Sequence, residues 1–182
     1  MQVDANLTGR DGGAPSSLAM QIVDRLKRAG IQIVTLLPDA WMVRLIEAVA
    51  ADPQLRLVRI SREDEGVGLC AGAYLGGKKA VVIAQNAGFL LSANALAALS
   101  MHHQIPVLIL IVQRGGHDDD QYYQIYKGRV TVPVLDAIGI PYHFVDGPED
   151  FHIIEQASQQ AYLARTPVAV LLSRSALVEA RP

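Results

Sequence analysis

One helix made of very small residues constrains this chain more than any other stretch. Ser61-Arg62-Glu63-Asp64-Glu65 is followed by Gly66, Gly68, Cys70, Ala71, Gly72 and Ala73, and the run closes on Gly76-Gly77-Lys78. It comes directly after the apolar run Leu55 to Ile60, so the pattern predicts a strand that feeds a helix. Three acids stand in the first turn, where the positive end of the helix dipole favours them. A helix this thin lets another element approach its backbone closely, most simply another helix. A carboxylate at its mouth would then be carried into an interface and partly desolvated. Desolvation favours the protonated form of a carboxyl group, which suits it to proton transfer.

The rest of the chain alternates strand and helix. Ser16 or Ser17 can cap a helix over residues 18–29 that stops at Gly30. Strands are predicted over 31–37, 55–60, 80–85, 106–112, 140–145 and 168–173. Helices are predicted over 41–51, 63–75, 91–103, 130–138 and 150–165, with Asn86-Ala87-Gly88 as a strand-to-helix loop. This order implies an α/β fold: a doubly wound, mainly parallel sheet of about six strands with helices on both faces. Residues 1–15 are polar and Gly-rich and read as a flexible tail before a single domain, 16–182.

Composition fits that architecture: 51% of residues are hydrophobic and only 5% aromatic, so Ala, Val, Leu and Ile build the core. A net charge of −2 argues against a nucleic-acid partner or an anionic membrane surface. The single cysteine, Cys70, excludes an intrachain disulfide and a Cys-based zinc site. No apolar run approaches a membrane span and the N-terminus has no apolar signal core, so a cytoplasmic protein is expected.

Ligands of doubly wound sheets bind beyond the carboxyl ends of the strands. The loops there carry Asp39, Glu63, Asn86 with Gly88, and the polar segment from Arg114 to Tyr123. Each has a plain alternative. Asp39 can simply cap the helix at Trp41, and the three acids can simply complement a helix dipole. The Asn86 loop lacks both common phosphate-binding glycine patterns. His117-Asp118-Asp119-Asp120 is a linear run, so no metal site is expected there.

In their order and spacing, several segments resemble the pyrimidine-binding domain of thiamine diphosphate enzymes, in particular the sulfopyruvate and phosphonopyruvate decarboxylases. They are Leu37-Pro38-Asp39, Arg62 to Gly72, Gln85-Asn86-Ala87-Gly88 with Asn94-Ala95-Leu96, Ile105-Pro106, Arg114-Gly115, Gly128-Arg129 and Ile140-Pro141-Tyr142. The resemblance implies that Glu63 meets a ring nitrogen of the cofactor's aminopyrimidine, with Asp64 as the rival acid if the register shifts. It implies that Asp39 lies near the reacting carbon and that Asn86 and Gly88 approach the cofactor, although Leu90 stands where a second glycine is usual. It implies a 2-oxo acid substrate whose anionic tail needs donors, for which Arg114, Gln121, Tyr122 and Arg129 are candidates.

The superfamily holds the diphosphate and its Mg²⁺ on a second domain marked by Gly-Asp-Gly, a motif absent from this chain. The resemblance therefore implies an α subunit that works with a β subunit carrying the diphosphate-binding domain, in a dimer or higher oligomer. The alternatives are another 2-oxo acid decarboxylase or carboligase, and a non-catalytic partner of the same fold.

Overall fold

The structure, a computed structural model, describes residues 17–179. The expected tail, residues 1–15, and the capping candidate Ser16 lie outside the described residues. Six strands form one sheet: β1 (Ile31–Leu36), β2 (Arg56–Arg59), β3 (Lys79–Gln85), β4 (Val107–Val112), β5 (Tyr142–Val145) and β6 (Pro167–Leu172). Their spatial order is β2-β1-β3-β4-β6-β5, and every pairing is parallel. Every residue of β4 and β6 is buried, as expected for strands covered on both faces.

The helices are α1 (Ser17–Arg28), α2 (Val43–Ala51), α3 (Glu63–Leu75), α4 (Asn86–Ala95), α5 (Ile125–Ile138), α6 (His152–Ala164) and the short α7 (Arg174–Leu177). Alternate strand residues feed two separate cores. Val81 and Ile83 point with Leu110 and Val170 towards Ile22, Leu26, Leu45 and Ile154, from α1, α2 and α6. Ala80, Val82 and Ala84 point with Ile109 and Leu171 towards Val67, Cys70, Phe89 and Leu135, from α3, α4 and α5.

Three differences from the sequence reading matter for function. The segment 86–88 is not a loop: α4 starts at Asn86, directly after β3. Its continuation, Leu96–Met101, widens to π geometry. Next, α5 starts at Ile125 rather than at residue 130. Gly128 and Pro133 both sit inside it, and a Cβ on Gly128 would overlap the Arg114 carbonyl, so the glycine marks a close contact. Last, a 3-10 turn, Tyr122–Gln124, shortens the irregular segment that follows β4.

The chain runs from β1 out to β2 on one side, and from β3 out to β4 on the other. Its direction along the sheet therefore reverses between β1 and β3, the position where a crevice opens beyond the carboxyl ends. Among the described residues, no helix is long and apolar enough to cross a membrane.

Candidate active site

The first turn of α3 sorts its three acids by direction. Glu65 turns back and its Oε2 accepts from the backbone N–H groups of Ser61 and Arg62, at 3.0 and 3.3 Å. Asp64 lies at the surface and pairs with Arg62 at 3.0 Å, which holds its carboxyl below the usual carboxylate range. Glu63 alone points inward and is 7% exposed. Among the described residues its carboxylate has no hydrogen-bond or ion-pair partner. Among the described residues the one fully enclosed side-chain polar atom without a partner is Ser158 Oγ, so the nearly buried Glu63 carboxylate keeps an opening through which a partner from outside can reach it.

Glu63 lies against Gly88, the third residue of α4. A Cβ added to Gly88 would come within 2.5 Å of Glu63 Cγ and Oε1. Gly88 is thus the residue that lets the acid lie flat on the backbone of the neighbouring helix. The small residues of α3 divide similarly. A Cβ on Gly66 would meet Thr35 Oγ1 at 2.9 Å and Ile60 Cδ1 at 3.1 Å, so Gly66 sets α3 down on the sheet. Gly68 and Gly72 face open space beside the exposed Leu69. Cys70 is buried among apolar neighbours, and burial pushes its thiol up to about 12.

Asn86 is wholly buried at the start of α4. Its Nδ2 lies within 3.3 Å of Gln113 Oε1, the Arg114 carbonyl and Thr131 Oγ1, and its Oδ1 accepts from the Arg114 N–H at 2.7 Å. The side chain is a bracket joining α4, the end of β4 and α5, behind the Glu63–Gly88 contact. Leu90 packs partly buried against the same core.

Asp39 caps the turn after β1, accepting from the Trp41 N–H at 3.0 Å. It also receives Arg114 Nη1, at 3.1 and 3.4 Å. Arg114, only 5% exposed, is further engaged by Asp119: Nε and Nη2 donate to its two oxygens at 2.8 and 3.0 Å. The guanidinium lies 4.0 Å from the centre of the Trp41 ring. The Arg114 guanidinium holds the Asp119 carboxyl at about 2. Gln121 and Arg129 are exposed, on the loop and on the outer side of α5. Sequence reasoning grouped Asp119 with Asp118 and Asp120, because nothing in a run of three identical residues says which one turns inward. It missed Trp41 and Gln124, whose amide bridges to Gln85 at 3.0 Å.

The family described as thiamine pyrophosphate enzyme, N-terminal TPP binding domain, matches residues 16–131. The chain belongs to this family. Among its relatives is the sulfopyruvate decarboxylase subunit alpha of Methanocaldococcus jannaschii, 35% identical over 84% of this chain and 91% of the relative. The protein of the same name from Methanococcus maripaludis is 34% identical over 79% of this chain and 87% of the relative. The phosphonopyruvate decarboxylase of Streptomyces viridochromogenes is 27% identical over 88% of this chain but only 41% of its own length. The fold is that of a 2-oxoglutarate:ferredoxin oxidoreductase from Magnetococcus marinus, with a TM-score of 0.66 and 20% identity over 89% of this chain and 29% of that one.

Proposed function

We propose that this chain is the α subunit of a thiamine diphosphate-dependent 2-oxo acid decarboxylase, with sulfopyruvate as substrate and sulfoacetaldehyde and CO₂ as products. One observation carries the reading: Glu63 is nearly buried, lies on the backbone of Gly88 and has no partner among the described residues. Such a group fits a hydrogen-bonding ring nitrogen supplied from outside the chain, as an aminopyrimidine would supply it. When bound, thiamine diphosphate contributes a thiazolium that accepts the electron pair left as CO₂ departs.

The residues of this chain do the rest. Glu63 holds a proton at the pyrimidine ring nitrogen, in surroundings where desolvation makes that hydrogen bond strong. Gly88, by lacking a side chain, leaves room for the Glu63 carboxylate against α4. Asp39, fixed by Arg114 and by its own cap, supplies an oriented carboxylate at the crevice between β1 and β3. The diphosphate and Mg²⁺ fall to a β subunit, in keeping with relatives that are named alpha subunits and with the lack of a Gly-Asp-Gly motif here. Gly68, Leu69 and Gly72 present an open surface that a subunit contact would use.

Phosphonopyruvate is the second substrate to try, because phosphonopyruvate decarboxylases are among the relatives. The test is Glu63→Gln in the complex reconstituted with its β subunit. The expected loss in kcat is roughly 10²- to 10⁴-fold, the range of a positioned acid–base group. Asp64→Asn should leave the rate near that of the parent. An unaffected Glu63→Gln variant would overturn the assignment, and a defect found only in Asp64→Asn would move it by one residue.

A further inference from the structure

One side chain gathers four of the hydrogen bonds of the segment after β4, beside the Gln124–Gln85 bridge and the Arg174 bond to the Asp118 carbonyl, and that side chain is part of no motif. Asp119 is 1% exposed in its side chain and accepts four hydrogen bonds. Two come from the Arg114 fork, one from the Gly115 N–H at 2.9 Å and one from the Gln121 N–H at 3.0 Å. Arg114 is gripped in turn from behind, since the Asn86 side chain pairs with both its backbone N–H and its carbonyl. Gly115 adopts a left-handed φ of +82°, and a Cβ there would collide with the Gln124 carbonyl, so the segment folds back across it. The residues that this fold presents, Gln121, Tyr122 and Tyr123, are exposed; Tyr122 is 82% exposed.

Its partners decide what Arg114 itself can do. Its guanidinium is committed to the carboxylates of both Asp39 and Asp119, while a second cation, Arg174, lies 5.8 Å from the other contact of the cluster, the Trp41 ring. The planar fork of Arg114 is fully engaged on Asp119, and its flat face lies on Trp41. An arginine engaged on two carboxylates and an aromatic face has no free fork to offer a substrate's anionic tail.

We propose that Asp119 is a positioning residue. Clasped by Arg114, it holds residues 115–124 in the shape that presents Gln121 and Tyr122 to the 2-oxo acid, with Arg114 as its anchor and not as the receptor of the anionic tail. This rests on the decarboxylase reading for the identity of the substrate, but the order of the segment does not depend on it.

The test is Asp119→Asn in the reconstituted complex, with KM and kcat for sulfopyruvate, thiamine diphosphate affinity, and hydrogen–deuterium exchange of residues 115–124. The clasp predicts faster exchange at Gly115 and Gln121, a KM raised roughly tenfold, and kcat and cofactor affinity within about twofold of the parent. If Arg114 were the receptor, removing its competing carboxylate would lower KM, and that result overturns the proposal. Unchanged exchange would overturn it as well, without reference to any substrate. That arm separates failure of the clasp from failure of the decarboxylase reading. Should Asp119→Asn not fold, Arg114→Lys keeps the charge and loses the fork. It should then accelerate the same amides, and protection equal to the parent would count against the clasp.

Discussion

The contact between Glu63 and Gly88 predicts a specific coupling between the two positions. In Gly88→Ala the new Cβ would sit 2.5 Å from Glu63 Cγ and Oε1 and 2.6 Å from Cδ, distances that real Cβ atoms do not sustain. Forcing a methyl group into a packed site costs about 1–3 kcal/mol. Against this, replacing glycine by alanine within a helix stabilises it by up to about 1 kcal/mol. The single substitution should therefore destabilise the fold by about 1 kcal/mol and swing the Glu63 carboxylate out of its position. In a Glu63→Ala background the colliding atoms are gone, and no hydrogen-bond partner among the described residues is left orphaned. There the same Gly88→Ala change should stabilise by up to about 1 kcal/mol. The assay is urea unfolding of the four proteins of the cycle, with equal m-values as the condition for comparing midpoints. The expected coupling is about 1–3 kcal/mol. If Gly88→Ala has the same effect in both backgrounds, Glu63 does not lie on Gly88 and the geometry of the site is wrong.

Two further outcomes concern the scaffold behind the site. Asn86→Ala removes a buried amide and strands the Arg114 N–H and carbonyl, so it should cost roughly 3 kcal/mol, read as a shifted urea midpoint; a loss below about 1 kcal/mol would contradict the bracket role. Asp119 has a folded pKa of about 2 against an ordinary 3.8, so its ion pair stabilises the fold fully above the ordinary value and is lost as pH falls towards 2. That difference corresponds to about 2 kcal/mol. Asp119→Asn should lack this part of the acid denaturation profile, and an identical profile for both proteins would contradict the assigned pair.

Much of this arrangement was legible in the sequence, because it depends on local pattern. The apolar runs of β4 and β6 and the acid-to-glycine start of α3 mark their elements without reference to anything distant. Elements that answer to distant contacts were not legible. Asn86 and Gly88 looked like loop residues, yet they open α4, because the Asn86 side chain is satisfied across the sheet by Arg114 and Thr131. The expected helix, 130–138, omits the first residues of α5, and Gly128 among them is the place where that helix touches the Arg114 carbonyl. At the site, the pattern pointed to Glu63 but not to the difference between Glu63 and Asp64. That difference appears only when Arg62 draws Asp64 to the surface. Arg114 carried the chemistry of an anion receptor, and its burial between Asp39, Asp119 and Trp41 answers to contacts that no local pattern displays.

The central claim is that Glu63 and Gly88 form one half of a thiamine diphosphate site completed by a second subunit. Calorimetric titration of thiamine diphosphate with Mg²⁺ into the chain alone, and into the chain paired with its β subunit, tests it most directly. The account predicts that the chain alone gives no tight binding, and that the pair binds with an affinity weakened by Glu63→Gln. Tight binding to the isolated chain, or binding to the pair that ignores Glu63, would contradict it.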